Sequence, residues 1–187
     1  MALAVPVIIG ARESAKRAPC ISNLRQLYVS WSGYLEENDN KWPSNIAEFA
    51  SNASSTSLLR CPRDFLEGAN RNLTSYMRRP VSYYYLMPID AFRSELAEAD
   101  TNHGIMYCVL HGAKSRFATR IEDAELDTTG TVLRLRADGS VGTFQVRHMC
   151  SPVGPFGRIR GRPQWTLLTD ARPCPDRWCA GANTPCD

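Results

Sequence analysis

Polar and apolar positions along the first third of the chain alternate with a helical period. Beyond Cys20, apolar side chains fall at Ile21, Leu24, Leu27, Trp31 and Tyr34, with Tyr28 and Leu35 beside them. Steps of three and four place these residues on one face of a helix. Upstream lies a charged stretch, Ala11-Arg-Glu-Ser-Ala-Lys-Arg17, and before it an apolar run from Met1 to Ile9. That run reaches about 14 Å as a helix, short of the roughly 30 Å of a bilayer's hydrocarbon core. It lacks a basic leader and a cleavage site, so it does not read as a signal peptide. Asn38-Asp39-Asn40 and Pro43 end the helical pattern, and Pro19 is expected to kink or restart it. A single helix over residues 3–36 is about 50 Å long, whereas the compact chain has a radius of gyration near ~16 Å. Such a helix protrudes, and its apolar tip needs a membrane, copies of itself or a partner to cover it. The alternative is two shorter helices broken at Pro19 and folded together.

Downstream the pattern changes to strands and short helices. Residues 45–50 read as a short helical patch, residues 82–86 as an aromatic strand, and residues 90–99 as a helix with Asp90 as N-cap. Residues 105–110 are a continuous apolar run of buried-strand length. The clearest local signal is the alternating stretch 131–146 around Asp138-Gly139, which reads as a hairpin with a two-residue turn. In that register Ala137 faces Ser140 and Leu133 faces Phe144, so Leu133, Leu135, Phe144 and Val146 share one face. Residues 151–187 hold six of the 12 prolines and three of the seven cysteines. There only residues 164–168 read as a strand, and the tail depends on crosslinks or on packing against the sheet. The fold class is α+β: a long N-terminal helix, residues 1–36, on a small antiparallel sheet in a globular part, residues 37–149, followed by a loop-rich Cys/Pro tail, residues 150–187.

Composition narrows the function classes. Hydrophobic residues make up 43% and charged residues 22%, which excludes wholesale disorder and a coiled-coil rod. The net charge of +3 is spread without a basic arm, so no nucleic-acid partner is expected. The histidines are His103, His111 and His148. Cys108 and His111 are conceivable as a nucleophile pair, but residues three apart on a strand point to opposite faces. Nucleophile-elbow, phosphate-loop and His-Glu-x-x-His motifs are missing from the sequence, so no catalytic residue is assigned. Cys174-x4-Cys179-x6-Cys186 is loosely spaced for zinc, and Asp123 and Asp138 read as solvated acids, not calcium ligands. No metal or other cofactor is expected.

An apolar helix containing a proline, Cys20-Ile-Ser-Asn-Leu-Arg-Gln26, a helix end at Trp42-Pro43, Cys61-Pro-Arg-Asp64, Ser82-Tyr83 and Ala137-Asp-Gly-Ser-Val141 stand in a definite order. This order resembles the type IV pilin-like proteins of the type II secretion pseudopilin kind, in the group with a prepilin-type N-terminus and a C-terminal Asp-Gly hairpin. The resemblance covers roughly residues 1–147. It implies a long helix whose second half packs on the sheet. It implies inner-membrane anchoring before assembly, and then a periplasmic or extracellular filament of this chain and other pilin-like subunits held by helix packing. The assembly residues are then Leu3, Val5, Pro6, Val7, Ile8 and Ile9. The family's processing site and the first half of its apolar run do not appear in the sequence, so Met1 is expected to be an internal methionine of a longer precursor. A histidine that many members carry ten positions before the hairpin aspartate is Thr128 here, and its role is not carried over.

Cys20 and Cys61 occupy family-like positions and are expected to form a disulfide between helix and sheet domain. Closing a loop of roughly 40 residues contributes about 4 kcal/mol in the chain-entropy treatment. Two buried free thiols are the alternative. Cys150, Cys174, Cys179 and Cys186, with Cys108, are candidates for two further bonds of undetermined pairing. The competing functional class is a soluble, secreted, disulfide-stabilised binding domain whose helix folds back on itself.

Overall fold

The computed structural model describes residues 4–50, 56–65, 67–86, 88–111, 130–146, 149–150, 164–172, 175–179 and 184–185. The first element, α1, is one continuous helix of 34 residues, Ala4–Glu37, with Pro19 inside it. Pro19 removes one backbone donor but does not end the helix, so of the expected kink or restart the restart does not occur. Cys20, Leu24, Leu27 and Trp31 are buried along one face, and Ile21, Tyr28, Tyr34 and Leu35 pack around them. Among side chains described on α1, Cys20 is the first that is buried; Ser14, Ala15, Lys16, Ala18 and Pro19 are exposed. Asn38 and Asn40 close the C-terminal end on the Leu35 carbonyl, and Asp39 and Asn40 take positive φ.

Short elements follow. Helix α2, Ile46–Ala50, sits against α1. A 3-10 turn at Thr56–Leu59 leads to Cys61, and helix α3, Arg71–Met77, is capped by the Asn70 side chain. Strand β1 is only Tyr84–Tyr85, shorter than expected, because Val81, Ser82 and Tyr83 are engaged by the loops before them. Helix α4 is Asp90–Ala99; Ile89 stands at its N-cap and Asp90 is its first residue. Strands β2, Gly104–Cys108, β3, Gly130–Arg136, and β4, Val141–Val146, complete an antiparallel sheet in the order β1-β2-β3-β4. Strand β5, Met149–Cys150, pairs with β6, Thr184–Pro185. Between them lie helix α5, Gln164–Leu168, and helix α6, Asp176–Cys179. The expected strand at 164–168 is therefore a helical turn; five residues are too few for periodicity to separate the two.

The hairpin forms one register away from the expected one. Val132 faces Phe144, Leu133 faces Thr143, and Leu135 faces Val141. The loop has three residues, Ala137-Asp138-Gly139, closed by Arg136 N–H to the Ser140 carbonyl at 2.9 Å. Only Gly139 takes positive φ, +81°, and a Cβ there would lie 2.6 Å from the Tyr28 ring, so the loop docks directly on α1. The shift moves Phe144 to the other face of the sheet, opposite Val132 and under Arg134, instead of beside Leu133 and Leu135. Leu133 and Leu135 join the core under α1, while Val132 lies in a second core with Phe92, Leu96, Trp165 and Leu168. The sheet is thus covered on both faces, by α1 on one and by α4 and α5 on the other. Strand β2 is buried along its whole length, and Tyr107 stacks on Tyr84 at 5.3 Å.

Arg134 is nearly fully buried on the second face, unusual for a residue type that is mostly exposed. Its guanidinium lies 3.7 Å from the centre of the Phe144 ring. It donates to the Leu167 carbonyl at 2.8 Å and pairs with Asp170 at 3.1 Å. Trp42 bridges the two cores, packing edge-on against Trp31 at 5.1 Å and under the Arg93 guanidinium.

Candidate functional site

The side of α1 that enters the domain meets the loop after the 3-10 turn and the end of β2. Cys20 comes from α1, Cys61 from that loop, Cys108 from the last position of β2 and His111 from the turn beyond it. The three Sγ atoms and the imidazole nitrogen all lie within 4.8 Å of one another. The cysteines have no exposed surface and His111 is 5% exposed. The Cys61 Sγ stands 3.5 Å from His111 Nε2.

Local sequence explains each placement. Cys20 heads the buried stripe of α1. One turn later Asn23 donates to the Ser57 and Arg60 carbonyls at 3.1 Å each, and to the Tyr83 hydroxyl at 3.3 Å. This clamps α1 onto the chain leading to Cys61. The Cys61-Pro-Arg-Asp64 turn is closed by Asp64 N–H to the Cys61 carbonyl at 2.8 Å. The Asp64 carboxylate, itself buried, accepts from the Gly68 and Ala69 amides at 2.9 and 2.8 Å and from the Ser82 hydroxyl at 2.5 Å. Ser82 Oγ accepts in turn from the Cys61 amide at 2.9 Å. The Cys-Pro-x-Asp and Ser-Tyr pieces of the sequence are therefore one hydrogen-bonded unit that fixes Cys61.

Cys108 and His111 converge because β2 ends at Cys108. Val109 leaves the strand and Leu110 and His111 form a turn, so the alternation that would separate the two side chains no longer applies. The sequence reading missed this pair as part of the cluster. The available signal was the Cys-x2-His spacing itself at the end of an apolar run.

The sulfurs compete for one negative charge. Hydrogen bonds from Cys108 and then Cys20 hold Cys61 well below the ordinary thiol range, with His111 adding to the effect. A hydrogen bond from Cys108 works to lower Cys20, but its own hydrogen bond to Cys61, burial and the Cys61 charge outweigh it and raise Cys20. Burial foremost raises Cys108. Burial likewise raises Tyr83, whose hydroxyl is hydrogen-bonded to Cys20. His111 Nδ1 is buried and has no hydrogen-bond partner among the described residues. A cleft of about 410 Å³ lined by Pro19, Asn23, Ser57, Arg60 and Pro62 lies beside Cys20 and Cys61 in the chain. No surface of the three cysteines is exposed.

The other expected site residues fall as follows. Cys20 and Cys61 come together, but both are free thiols and a third free thiol, Cys108, joins them. Cys174 and Cys186 lie outside the described residues; Cys150 and Cys179 are placed on β5 and α6 by their backbone alone. Leu3 is outside the described residues, while Val5, Pro6, Val7, Ile8 and Ile9 occupy the first turns of α1. Among the described residues no helix is long and apolar enough to cross a membrane. His103 is buried, with Nδ1 2.9 Å from the Gly104 carbonyl oxygen, away from the cluster's four members. His148, Thr128 and Asp123 lie outside the described residues. Comparison with protein-family models, curated proteins and solved structures finds no match.

Proposed function

We propose that the chain is a pilin-like structural subunit that assembles into a filament of the type IV pilus or type II secretion kind through its N-terminal helix. One observation carries the reading. The 34-residue helix α1 spans about 51 Å at 1.5 Å per residue, and among its described side chains burial on the sheet starts only at Cys20. Just ahead of that first buried contact, Ser14, Ala15, Lys16, Ala18 and Pro19 are exposed. A helix of this kind supplies a grip on the sheet with one half and a packing surface for other subunits with the other. Pilin-like partners, inner-membrane residence before assembly and an extracytoplasmic destination follow from the same reading.

The test is electron microscopy of cells that make the chain, with antibody against the globular part. Labelled thin filaments are expected, and Ile8→Asp should abolish them while leaving the level of folded protein unchanged. A chain that remains monomeric in cells and membranes, with Ile8→Asp indistinguishable from the parent, would overturn the proposal.

A further inference from the structure

We propose that Cys20, Cys61, Cys108 and His111 bind a single zinc ion in a closed, structural site of three sulfurs and one nitrogen that fastens α1 to the sheet domain. The donor set suits zinc. Three thiolates and one imidazole form one of the usual complements of structural zinc, which favours four protein ligands in a tetrahedron with no open position. Here all four are buried, as a closed site requires.

The distances suit it as well. With Zn–S near ~2.3 Å and Zn–N near ~2.05 Å, a tetrahedral S···N edge is about 3.6 Å and an S···S edge about 3.8 Å. Cys61 Sγ and His111 Nε2 are 3.5 Å apart, and no pair among the four donor atoms exceeds 4.8 Å. That spread fits one ion. An iron–sulfur cluster, whose thiolates grip separate irons, needs a wider cage.

The number of thiols disfavours a disulfide. A Cys20–Cys61 bond would use two of three and leave Cys108 and His111 packed against it with no bond to make. One divalent ion uses every donor.

The surroundings fit a held ion too. Metal-bound ligands are commonly steadied by outer hydrogen bonds. Here the Cys61 amide is fixed by Ser82, Ser82 by Asp64, and Cys20 is hydrogen-bonded to Tyr83. The four ligands are spread over 92 positions of sequence, 20 to 111, so the ion would join three separated parts of the chain.

The experiment is elemental analysis of the full chain, purified without chelator, together with cobalt replacement. Zinc at about one ion per chain is expected, and the Co²⁺ form should show the intense visible bands of a tetrahedral site with thiolate charge transfer. Cys108→Ser should lose the zinc, whereas Cys179→Ser should keep it; the reverse would move the metal to the tail and overturn the proposal. Because Cys108→Ser can fail to fold, His111→Cys is the second variant. It should fold, keep about one zinc per chain and shift the cobalt bands towards those of a four-thiolate site. Removing the zinc should lower Tm by about 10–20 °C. Two further results would overturn the proposal: a disulfide-linked Cys20–Cys61 peptide in native protein, or zinc below about a tenth per chain after refolding with added zinc.

Discussion

Replacing Asp64 tests the loop that carries Cys61. The carboxylate takes hydrogen bonds from two backbone amides, Gly68 and Ala69, and from the Ser82 hydroxyl. Gly68 holds φ at +118°, a conformation open to glycine, and this aims its N–H at the carboxylate. In Asp64→Ala the serine hydroxyl can rotate to another acceptor, but the two amides cannot. Hydrogen bonds to a charged acceptor are worth about 1.5–3 kcal/mol each, and recovering the cost of burying the charge offsets part of that. The net loss is about 3–5 kcal/mol, a large share of the roughly 5–15 kcal/mol typical of a folded domain. For a chain of this size that corresponds to a Tm fall of about 6–20 °C. Asp64→Asn retains an oxygen for the amides and should cost only about 1–2 kcal/mol. Urea denaturation followed by tryptophan fluorescence measures both, since Trp31 and Trp165 are buried in the two cores. If Asp64→Ala lies within about 0.5 kcal/mol of the parent, or if Asp64→Asn is equally damaging, the hydrogen-bond account of this loop is wrong.

Two further substitutions probe the sheet. Gly139→Ala forces a Cβ into a positive-φ position and against the Tyr28 ring, and should cost about 1–3 kcal/mol by thermal denaturation; Tyr28→Ala in the same chain should relieve the steric part. Arg134→Met leaves the Leu167 carbonyl without its donor and removes the ring-stacked cation, and should cost about 2–4 kcal/mol. Arg134→Lys should recover less than half of that, because an ammonium cannot stack and fork as a guanidinium does. A lysine variant as stable as the parent would show that charge alone is needed.

The long helix and the antiparallel hairpin were legible because each rests on local pattern. The α1 stripe from Leu24 to Trp31 is a helical period over several turns, and Asp138-Gly139 marks a reversal. The hairpin register was not legible, because two- and three-residue loops both suit Asp-Gly and both give a plausible apolar face. The choice is settled from outside the hairpin, by Tyr28 packed on Gly139 and by the Leu167 carbonyl and Asp170 that hold Arg134. Arg134 in particular finds its partners 32 to 36 positions away, where alternation carries no information. The candidate site was half legible. Cys20 and Cys61 were paired by resemblance, while Cys108 and His111 were set aside on the assumption that the apolar run to Leu110 is all strand. The strand ends two residues earlier, and that short difference turns His111 back onto the sulfurs.

The unbroken passage of α1 through Pro19 has a mechanical consequence. A stiff rod gripped along one face behaves as a lever, and a pull along its axis loads the grip unevenly. Tension arriving from the N-terminal direction meets Cys20, the leading buried point among the described side chains of the seam, before it reaches Leu24, Leu27 or Trp31. Whatever bonds Cys20 to the loop and to the end of β2 therefore stands at the place where peeling would begin, and its strength sets the force at which the helix parts from the sheet.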